Sequence, residues 1–393
     1  MKALLISLGT GVGPNGTQNI VHGLLFSIRS HNPDRVFLVT SKESQQTTLP
    51  ELVKAIMKPY EVISLPDAED VNKIYEYLLP KYREIRNKFE DITVDYTSGT
   101  KAITAALAIL GSWHEADALS YVSGERREGT VVTGTERLLV LQPYQIMVEK
   151  RLSQAVSLFN SCQFDGSLVI LAQVERSVPH PSLLEKLRPL RDISLAYSAW
   201  DKFDHQEALD KLRQTRLPEF DDNKAFLGKL CHAREKEPYC IADLINNAGR
   251  RGDIEKKYDD AVARLYRTVE LIAQYKLKQY GITDTGDIAP DKVPPSLAQN
   301  MQGGPGKIQV GLEKAYQMLD AYGDDIGKSL AANSRLKNLL RRRNSSMLAH
   351  GLVTVDGETY RSLLEEVHHL ASLVVEGLDR LLSQSQFRQW SSQ

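Results

Sequence analysis

The sequence predicts a two-part fold, an α/β Rossmann-like domain followed by an all-α C-terminal region. Over the first part, short apolar runs rich in β-branched residues alternate with helical patterns, as in a parallel sheet covered on both faces. After Pro143 the strand pattern is almost absent and helical periodicity dominates, with long runs at 258–280 and 359–384. We therefore expect a Rossmann-like domain over 1–145, a helical connecting subdomain over 146–252 and a further helical domain over 253–393.

The composition is that of an ordinary globular protein and excludes several classes. Of 393 residues, 42% are apolar and 25% charged, and the formal net charge is −1, so any basic site must be local. The odd, widely spaced cysteines (Cys162, Cys231, Cys240) argue against a disulfide framework or a zinc site and favour the cytoplasm. No stretch reaches the ~18 apolar residues of a membrane span, and we interpret residues 1–11 as a strand and loop.

The individual elements follow from the same patterns. Strands are predicted at 3–8, 35–40, 60–65, 91–96, 118–123 and 137–142, and helices at 17–31, 49–57, 67–90 and 100–112. Residues 155–171 resemble residues 196–212 at an offset of 41, which indicates either a repeated helical unit or a coincidence of helix packing. Glycine, proline and aspartate at 281–307 predict a long loop between helices.

A glycine-rich loop follows the first predicted strand. Gly9, Thr10 and Gly11 let the backbone approach a ligand, because ligands bind beyond the carboxyl ends of strands in such sheets. Gly11, Gly13 and Gly16 match a dinucleotide fingerprint, but Pro14 interrupts it. At the end of the second strand, Thr40 and Ser41 stand where an acidic residue is expected, so NAD binding is not predicted. The alternative is a glycine turn that binds nothing.

A sharper cluster follows the fourth predicted strand, and its loop residues are Thr97, Ser98, Gly99, Thr100 and Lys101. The hydroxyls can cap the next helix, and Lys101 would lie in its first turn, where the helix dipole disfavours a cation unless an anion is near. The alternative is an ordinary cap with Lys101 in solvent. The spacing is not that of a P-loop. The loop after the fifth strand, with Ser123 and Gly124, either rims the same pocket or forms a charged hairpin.

The C-terminal region carries a basic stretch, RLKNLLRRRNSSMLAH, at residues 335–350. Five of the nine residues 335–343 are basic, which predicts a patch for RNA phosphates that includes Arg341 and Arg342. A solvated helix face is the alternative. Arg343 and His350 are seven residues apart, so on a regular helix ending at Gly351 they lie within about 20° of one face.

The residue types in this stretch suit metal-free RNA cleavage by the 2′-hydroxyl. Arg343 can clamp a phosphate that gains charge in the transition state, and His350 can move protons near neutral pH. Asn344 can orient a phosphate oxygen or the imidazole. Glu270, on a neighbouring predicted helix, either orients Arg343 or forms an ordinary surface pair. Such arginine–histidine spacings also arise by chance in long helices.

The strand–Gly/Thr loop, the segment DYTSGTKAITAAL and the segment RNSSMLAH together resemble the CARF–HEPN ribonucleases of type III CRISPR systems. The resemblance covers roughly 1–145 and 255–390. It implies a CARF-like ligand-sensing domain over 1–145 and a HEPN-like nuclease domain over 253–393. It also implies a homodimer that binds cyclic oligoadenylate as an allosteric activator, uses no metal or other cofactor, and cuts single-stranded RNA to leave a 2′,3′-cyclic phosphate.

The resemblance also assigns roles to residues of this chain. Arg343 would stabilise the scissile phosphate, His350 would be the general acid/base and Asn344 would position one of them. The ligand-loop candidates are Gly9, Thr10, Gly11, Thr40, Ser41, Thr97, Ser98, Gly99, Thr100, Lys101, Ser123 and Gly124.

Three other functions stay open at this point. The protein is a non-catalytic nucleotide sensor if the helical domain only dimerises or recruits a partner. It is a ring nuclease if the α/β loops cut the cyclic activator. A transcription regulator is less favoured, because no helix-turn-helix with a basic recognition face is evident.

Overall fold

The computed structural model describes residues 1–11, 16–127, 130–132, 134–177, 181–297 and 308–391. The chain forms two compact units, Met1–Arg151 and Leu152–Gln393. The first unit is built around a sheet with helices, and the second is almost entirely helical among its described residues. The expected fold class, an α/β Rossmann-like part followed by an all-α region, is confirmed.

A six-stranded sheet forms the centre of the α/β unit. Its strand order is β3-β2-β1-β4-β5-β8, in which β1 to β5 are parallel and β8 is antiparallel to β5. A separate two-stranded pair is formed by β6 and β7. The strands are β1 (Lys2–Leu8), β2 (Arg35–Thr40), β3 (Tyr60–Ser64), β4 (Asp91–Asp95), β5 (Ala118–Ser123), β6 (Arg126–Arg127), β7 (Thr130–Val131) and β8 (Arg137–Leu141).

Both faces of the sheet are covered by helices, which explains the continuous apolar strands. Leu4 and Ile6 of β1 belong to one buried core, whereas Leu5 belongs to the core on the other face. The helices are α1 (Gly16–His31), α2 (Lys42–Ala55), α3 (Val71–Lys88) and α4 (Lys101–Trp113). Helix α2 begins seven residues before the predicted start because Ser41 and Ser44 form a reciprocal capping box that the sequence pattern did not include.

The second unit is an assembly of helices around a central one. They are α5 (Tyr144–Asn160, which begins in the first unit), α6 (Phe164–Ser177), α7 (Pro181–Asp201), α8 (His205–Gln214), α9 (Asp221–His232), α10 (Glu237–Gly249), α11 (Tyr258–Lys278), α12 (Leu312–Ala321), α13 (Asp325–Ala332), α14 (Ser334–Asn344), α15 (Gly357–Ser372) and α16 (Leu378–Ser385). Helix α10 continues into a π-helical turn at Arg250–Ile254. Helix α11 is central, because it packs against α10, α12, α14 and α15.

The faint internal repeat corresponds to two helical hairpins, α5–α6 and α7–α8. Cys162 and Phe203, which are 41 residues apart, both adopt positive φ at the hairpin turns, 58° and 64°. The amide of Cys162 donates to the carbonyl of Phe159 at 2.9 Å, and the amide of Phe203 donates equivalently to Trp200 at 2.9 Å. Phe159 and Trp200 both pack against Tyr197, so the repeated positions build one aromatic core.

Two long sequence patterns form structures that differ from those predicted. The run 359–384 is two helices, α15 and α16, because Gly377 adopts a left-handed conformation with φ 65° before α16. The predicted loop at 281–307 contains a short 3-10 turn, Pro290–Lys292, and an isolated bridge joins Ile288 to Ile308. Its residues 298–307 lie outside the described part of the chain. No helix of the described residues is long and apolar enough to cross a membrane.

Candidate functional sites

The first candidate site lies at the carboxyl ends of β1 and β4, which are neighbours in the sheet. The loops that follow these strands touch: a Cβ on Gly9 would stand 2.7 Å from the backbone nitrogen of Gly99, so a larger residue does not fit. Gly11 and Gly99 adopt φ +73° and +116°. Gly13 and Pro14 of the dinucleotide-like match lie outside the described residues.

Ser98 joins the two loops. Its hydroxyl donates to the carbonyl of Ser7 at 2.7 Å and accepts from the amide of Gly9 at 3.0 Å, and the residue is only 6% exposed. The Ser7 hydroxyl in turn donates to the Ser98 carbonyl. Thr97 accepts a hydrogen bond from the amide of Val122 at 2.9 Å. The side chains of Thr97 and Ser98 therefore shape the loops from within.

Lys101 differs from its neighbours in the loop because its charge has no partner among the described residues. Thr100 caps α4 by accepting from the amide of Ile103 at 3.2 Å, and it donates to the carbonyl of Ala68. Thr10 accepts a hydrogen bond at its carbonyl from Thr17 at 3.3 Å. Lys101 is exposed at the first position of α4, and it forms no ion pair with any residue that the structure describes. A cation there opposes the helix dipole, so an anionic ligand would stabilise it.

The remaining ligand-loop candidates surround this edge in different environments. Thr40 is fully buried and accepts from the side-chain amide of Gln45 at 2.9 Å, while Ser41 caps α2. Ser123 ends β5 on the same edge, and a Cβ on Gly124 would lie 2.5 Å from a methyl carbon of β7. The β6–β7 pair corresponds to the hairpin alternative for this loop, whose residues 128–129 lie outside the described chain.

A buried carboxylate lies below the loops and was not among the predicted site residues. Asp95 is fully buried, and its side chain accepts from the hydroxyls of Ser27 at 2.6 Å and Ser120 at 3.0 Å and from the amide of Thr97 at 2.9 Å. His31 Nε2 lies 2.8 Å from the Ser120 hydroxyl. Because that hydroxyl donates its proton to Asp95, Nε2 must carry the proton in this chain of hydrogen bonds.

His31 stays neutral in this network. Burial lowers the pKa of its imidazole, although the carboxylates of Asp95 and Asp91 oppose this effect and Lys2 adds to it. The position of His31 at the carboxyl end of α1 also favours the cation, so desolvation is the larger effect. The α/β unit therefore holds an uncharged donor beneath its candidate ligand loops.

The second candidate site follows α14, and here the structure corrects the prediction. Arg343 and His350 do not share a helix, because α14 ends at Asn344 and not at Gly351. The amide of Ser346 donates to the carbonyl of Arg343 at 2.9 Å, which tightens the last turn and starts a reversal of the chain. Serines compete with the helical backbone for such hydrogen bonds, so the Ser-Ser pair is a physical reason for the early end.

The reversal brings His350 back beside the end of the helix. Its amide donates to the carbonyl of Asn344 at 3.2 Å, and Ser346 and Val353 form a bridge that closes the turn. A Cβ on Gly351 would lie 2.0 Å from the carbonyl oxygen of Ser345, so Gly351 is needed for this close approach and not as a helix cap. The side chain of His350 is exposed.

Arg343 packs on an aromatic ring that the sequence analysis missed. Its guanidinium carbon lies 4.1 Å from the centroid of the Tyr266 ring on α11, a cation–π contact. Its Nη1 donates to the side-chain oxygen of Asn344 at 3.3 Å, and its Nε is buried without a partner among the described residues. Glu270, the predicted orienting residue, pairs instead with Arg267 at 3.3 Å. The one sequence signal for this contact is that Tyr266 lies one helical turn before Glu270.

The rest of the basic stretch is partly neutralised. Arg335 pairs with Glu366 at 3.1 Å, Lys337 donates to a backbone carbonyl and Arg342 lies 3.6 Å from Asp356. Arg341 is exposed, and it makes no ion pair within the described part of the chain. A cleft of 390 Å³ opens beside it, lined by Tyr266, Lys337, Arg341 and Asn344 among others. Arg343, the side-chain amide of Asn344 and the backbone of His350 therefore lie at the end of one helix, beside a basic cleft.

Metal ligands do not cluster in the described residues: no group of three or more histidine, cysteine, aspartate or glutamate side chains is arranged to hold an ion there. Cys162 and Cys240 are partly buried thiols whose pKa values burial raises to about 11. They are therefore protonated at neutral pH.

Two protein-family models match the helical unit. A model described as the Csm6 HEPN domain matches residues 230–374, and a model described as the Csm6 6H domain matches residues 148–238. Together they span more than half of the chain, including Arg343, Asn344 and His350. A comparison with curated proteins found no match.

Two solved structures are similar to the chain. One is Csm6 of Enterococcus italicus bound to cyclic hexa-2′-fluoro-hexa-dAMP, with 13% identity, 98% of each chain covered and a TM-score of 0.66. The other is Can2 of Sulfobacillus thermosulfidooxidans in complex with cyclic tetra-adenylate, with 12% identity over 56% of this chain and 69% of that one. Its TM-score is 0.26.

The His31 network predicts a pH effect on the stability of the α/β unit. The folded pKa of His31 lies below its unfolded value of 6.5. His31 therefore stabilises the fold above about pH 6.5, and this contribution is lost as the pH falls, because the unfolded chain then binds the proton more readily. We expect urea midpoints to fall between pH 7.5 and pH 5 by less in His31→Gln than in the wild type. Identical pH slopes would contradict this role.

Proposed function

The chain belongs to the Csm6 family of CARF–HEPN ribonucleases of type III CRISPR systems, and we propose that cyclic oligoadenylate bound at the α/β loops activates RNA cleavage at Arg343 and His350. One observation carries the catalytic part of the proposal. Within the span matched by the HEPN model, the chain reversal after α14 ties the backbone of His350 to that of Asn344, next to Arg343.

The proposed reaction is an internal transfer of the RNA phosphodiester. The 2′-oxygen attacks the adjacent phosphorus and loses its proton, the bond from phosphorus to the 5′-oxygen breaks, and the 5′-oxygen gains a proton. The products are a 2′,3′-cyclic phosphate and a 5′-hydroxyl, and the step requires proton transfer and charge stabilisation but no metal. His350 is exposed and suited to move the proton, and Arg343 is suited to bind the phosphate oxygens as their charge grows.

Neighbouring side chains support these two roles. Asn344 holds Arg343 through its side-chain oxygen, and the Tyr266 ring backs the guanidinium plane. Stacking occupies the face of the guanidinium, so the remaining Nη donors on its edge can meet a phosphate. Arg341 and Arg342 lie on the adjacent turn, where they can bind the flanking RNA phosphates.

A homodimer is part of the proposal, and exposed apolar side chains support it. Met347, Leu348, Leu352 and Val353 are between 52% and 85% exposed on the turn that contains His350. Such a group on the surface of a single chain is typical of an interaction site. A second copy that covers it would bring a second Arg343 and His350 to the same place, which gives the composite site of the HEPN family.

The activator part of the proposal rests on the loops after β1 and β4. Lys101 offers, at the start of α4, an ammonium that pairs with no carboxylate in the described ranges, and the close approach of Gly9 to Gly99 leaves backbone at the surface of the loop pair. Both features suit a phosphodiester anion. The similar Enterococcus italicus Csm6 is bound to a cyclic hexa-adenylate analogue, which is why we choose a cyclic oligoadenylate as the ligand class.

Removal of either catalytic side chain is expected to abolish RNA cleavage. Arg343→Ala and His350→Ala should each lower the rate at least about 100-fold, because charge stabilisation or proton transfer is lost. The assay is cleavage of a fluorescent single-stranded RNA in EDTA with cyclic tetra- or hexa-adenylate present. Arg361→Ala and His369→Ala remove exposed side chains of the same types on α15 and are the matched controls. Full activity of either catalytic variant would refute the assignment, and inactivity of the wild type would favour a non-catalytic sensor.

The stacked ring predicts a graded response at Tyr266. Tyr266→Phe keeps the ring face, so we expect a kcat within about threefold of the wild type, whereas Tyr266→Ala should lose about tenfold in kcat through misplacement of Arg343. KM should change little in both. Melting temperatures of the two variants exclude general unfolding as the cause. Equal losses in both variants would show that the hydroxyl, and not the stacking, matters.

A further inference from the structure

We propose that a second RNA-contact site lies in a basic groove formed where α8, α9, α10 and α16 meet, which shares no lining residue with the cleft beside Arg343. The groove has a volume of 840 Å³. We infer that it binds the phosphodiester backbone of single-stranded RNA and so retains long RNA near the nuclease. The inference rests on the proposed ribonuclease function but concerns residues outside the catalytic turn.

The cations of the groove come from separate parts of the sequence. Five basic side chains line it, against the two carboxylates of Glu235 and Glu376. The five are Arg213, Lys224, Lys229, Arg234 and Arg380. A basic face on one helix is common on protein surfaces, but here the charges of three helices and a loop converge on one concavity. The whole chain has a net charge of −1, so this local excess is distinctive.

Most of these charges are not neutralised by the fold. Lys224 pairs with Asp221 at 2.8 Å, and Glu235 accepts a hydrogen bond from the hydroxyl of Tyr275. Within the described ranges, no side-chain hydrogen bond or ion pair is formed by the other four cations: Arg213, Lys229, Arg234 and Arg380. All four are exposed, so they can exchange bound counterions for the phosphates of an RNA strand.

The chemistry of the groove favours a nucleic-acid strand over other anions. Three of the four unpaired cations are arginines, whose planar guanidinium groups match phosphate oxygens in pairs. Tyr239, half-buried in the wall, adds an aromatic ring of the kind on which bases stack. A groove built in this way recognises the backbone and not the sequence, which suits retention of a substrate.

Helix α11 relates the groove to the catalytic turn. Tyr275 contacts the groove through Glu235, whereas Tyr266 contacts Arg343. Nine residues along a helix correspond to about 14 Å and about two and a half turns, so the two contacts lie on opposite faces of α11. An RNA short enough to occupy only one of the two sites gains nothing from the groove. A long RNA held in the groove would raise the local concentration of cleavable strand at Arg343.

A substitution at Gly228 tests the groove, because Gly228 lies in α9 and a side chain built on it would enter open space. It lines the groove, and a Cβ built on it meets nothing within 4 Å. Gly228→Glu adds a carboxylate to the groove, and Gly228→Gln adds the same shape without the charge. Both replace a helical glycine by a better helix former, so both should fold at least as well as the wild type.

The experiment compares the two variants on a long RNA of about thirty nucleotides and a short RNA of about six, with activator present. On the long RNA, we expect Gly228→Glu to raise KM about three- to tenfold relative to Gly228→Gln, with kcat unchanged and a shallower dependence of binding on salt. On the short RNA, the two variants should be equal.

Fluorescence anisotropy of the long RNA, measured without cleavage, separates the two proposals. If the wild type does not cut RNA but Gly228→Glu still binds it more weakly than Gly228→Gln does, the ribonuclease proposal fails and the groove stands. Equal binding and equal KM of the two variants on long RNA would overturn the groove, as would equal weakening on both RNA lengths. Equal binding and equal KM of the two variants on long RNA is also the result expected if the groove binds an acidic protein instead of RNA.

Discussion

The hydrogen bond from the His350 amide to the Asn344 carbonyl is the constraint on which the catalytic proposal depends. Without the reversal that this bond closes, the backbone of His350 would not return to the end of α14. Gly351 permits the reversal because its missing Cβ leaves room for the Ser345 carbonyl. The arginine, in contrast, is positioned from outside the motif, by the Tyr266 ring of the central helix α11. Local backbone geometry and one long-range contact together define the site.

In the α/β unit, likewise, some polar residues hold the backbone of the candidate site, whereas another can contact a ligand. Ser98 and Asp95 are committed to internal hydrogen bonds that hold the loops after β1 and β4, so they shape the site without facing a ligand. Lys101, in contrast, forms no ion pair with the residues that the structure describes, so its charge is available to a ligand. A polar side chain in a ligand loop is therefore informative about binding only when its hydrogen bonds are not already taken.

Much of the fold was predictable because hydrophobic periodicity is a local signal. The six main strands and the break in character after Pro143 follow from runs that the chain displays directly. The relation of Arg343 to His350 was predicted wrongly, because an ideal helix was assumed across two serines that end it. Tyr266 and the basic groove were not predicted, because both depend on contacts between residues far apart in the sequence. Tyr266 lies 77 residues before Arg343, and the residues that line the groove are spread over 213–381.

The proposed control of RNA cleavage in the helical unit comes from a ligand of the α/β loops. It is tested most directly by titrating cyclic oligoadenylate into the RNA cleavage assay with the wild type, Lys101→Glu and, as a matched control, Lys88→Glu, which is exposed at the end of α3. We predict activator-dependent cleavage in which Lys101→Glu alone raises the half-maximal activator concentration about tenfold or more, with an unchanged maximal rate. A cleavage rate that does not depend on the activator, or an unchanged titration curve for Lys101→Glu, would contradict the proposed control.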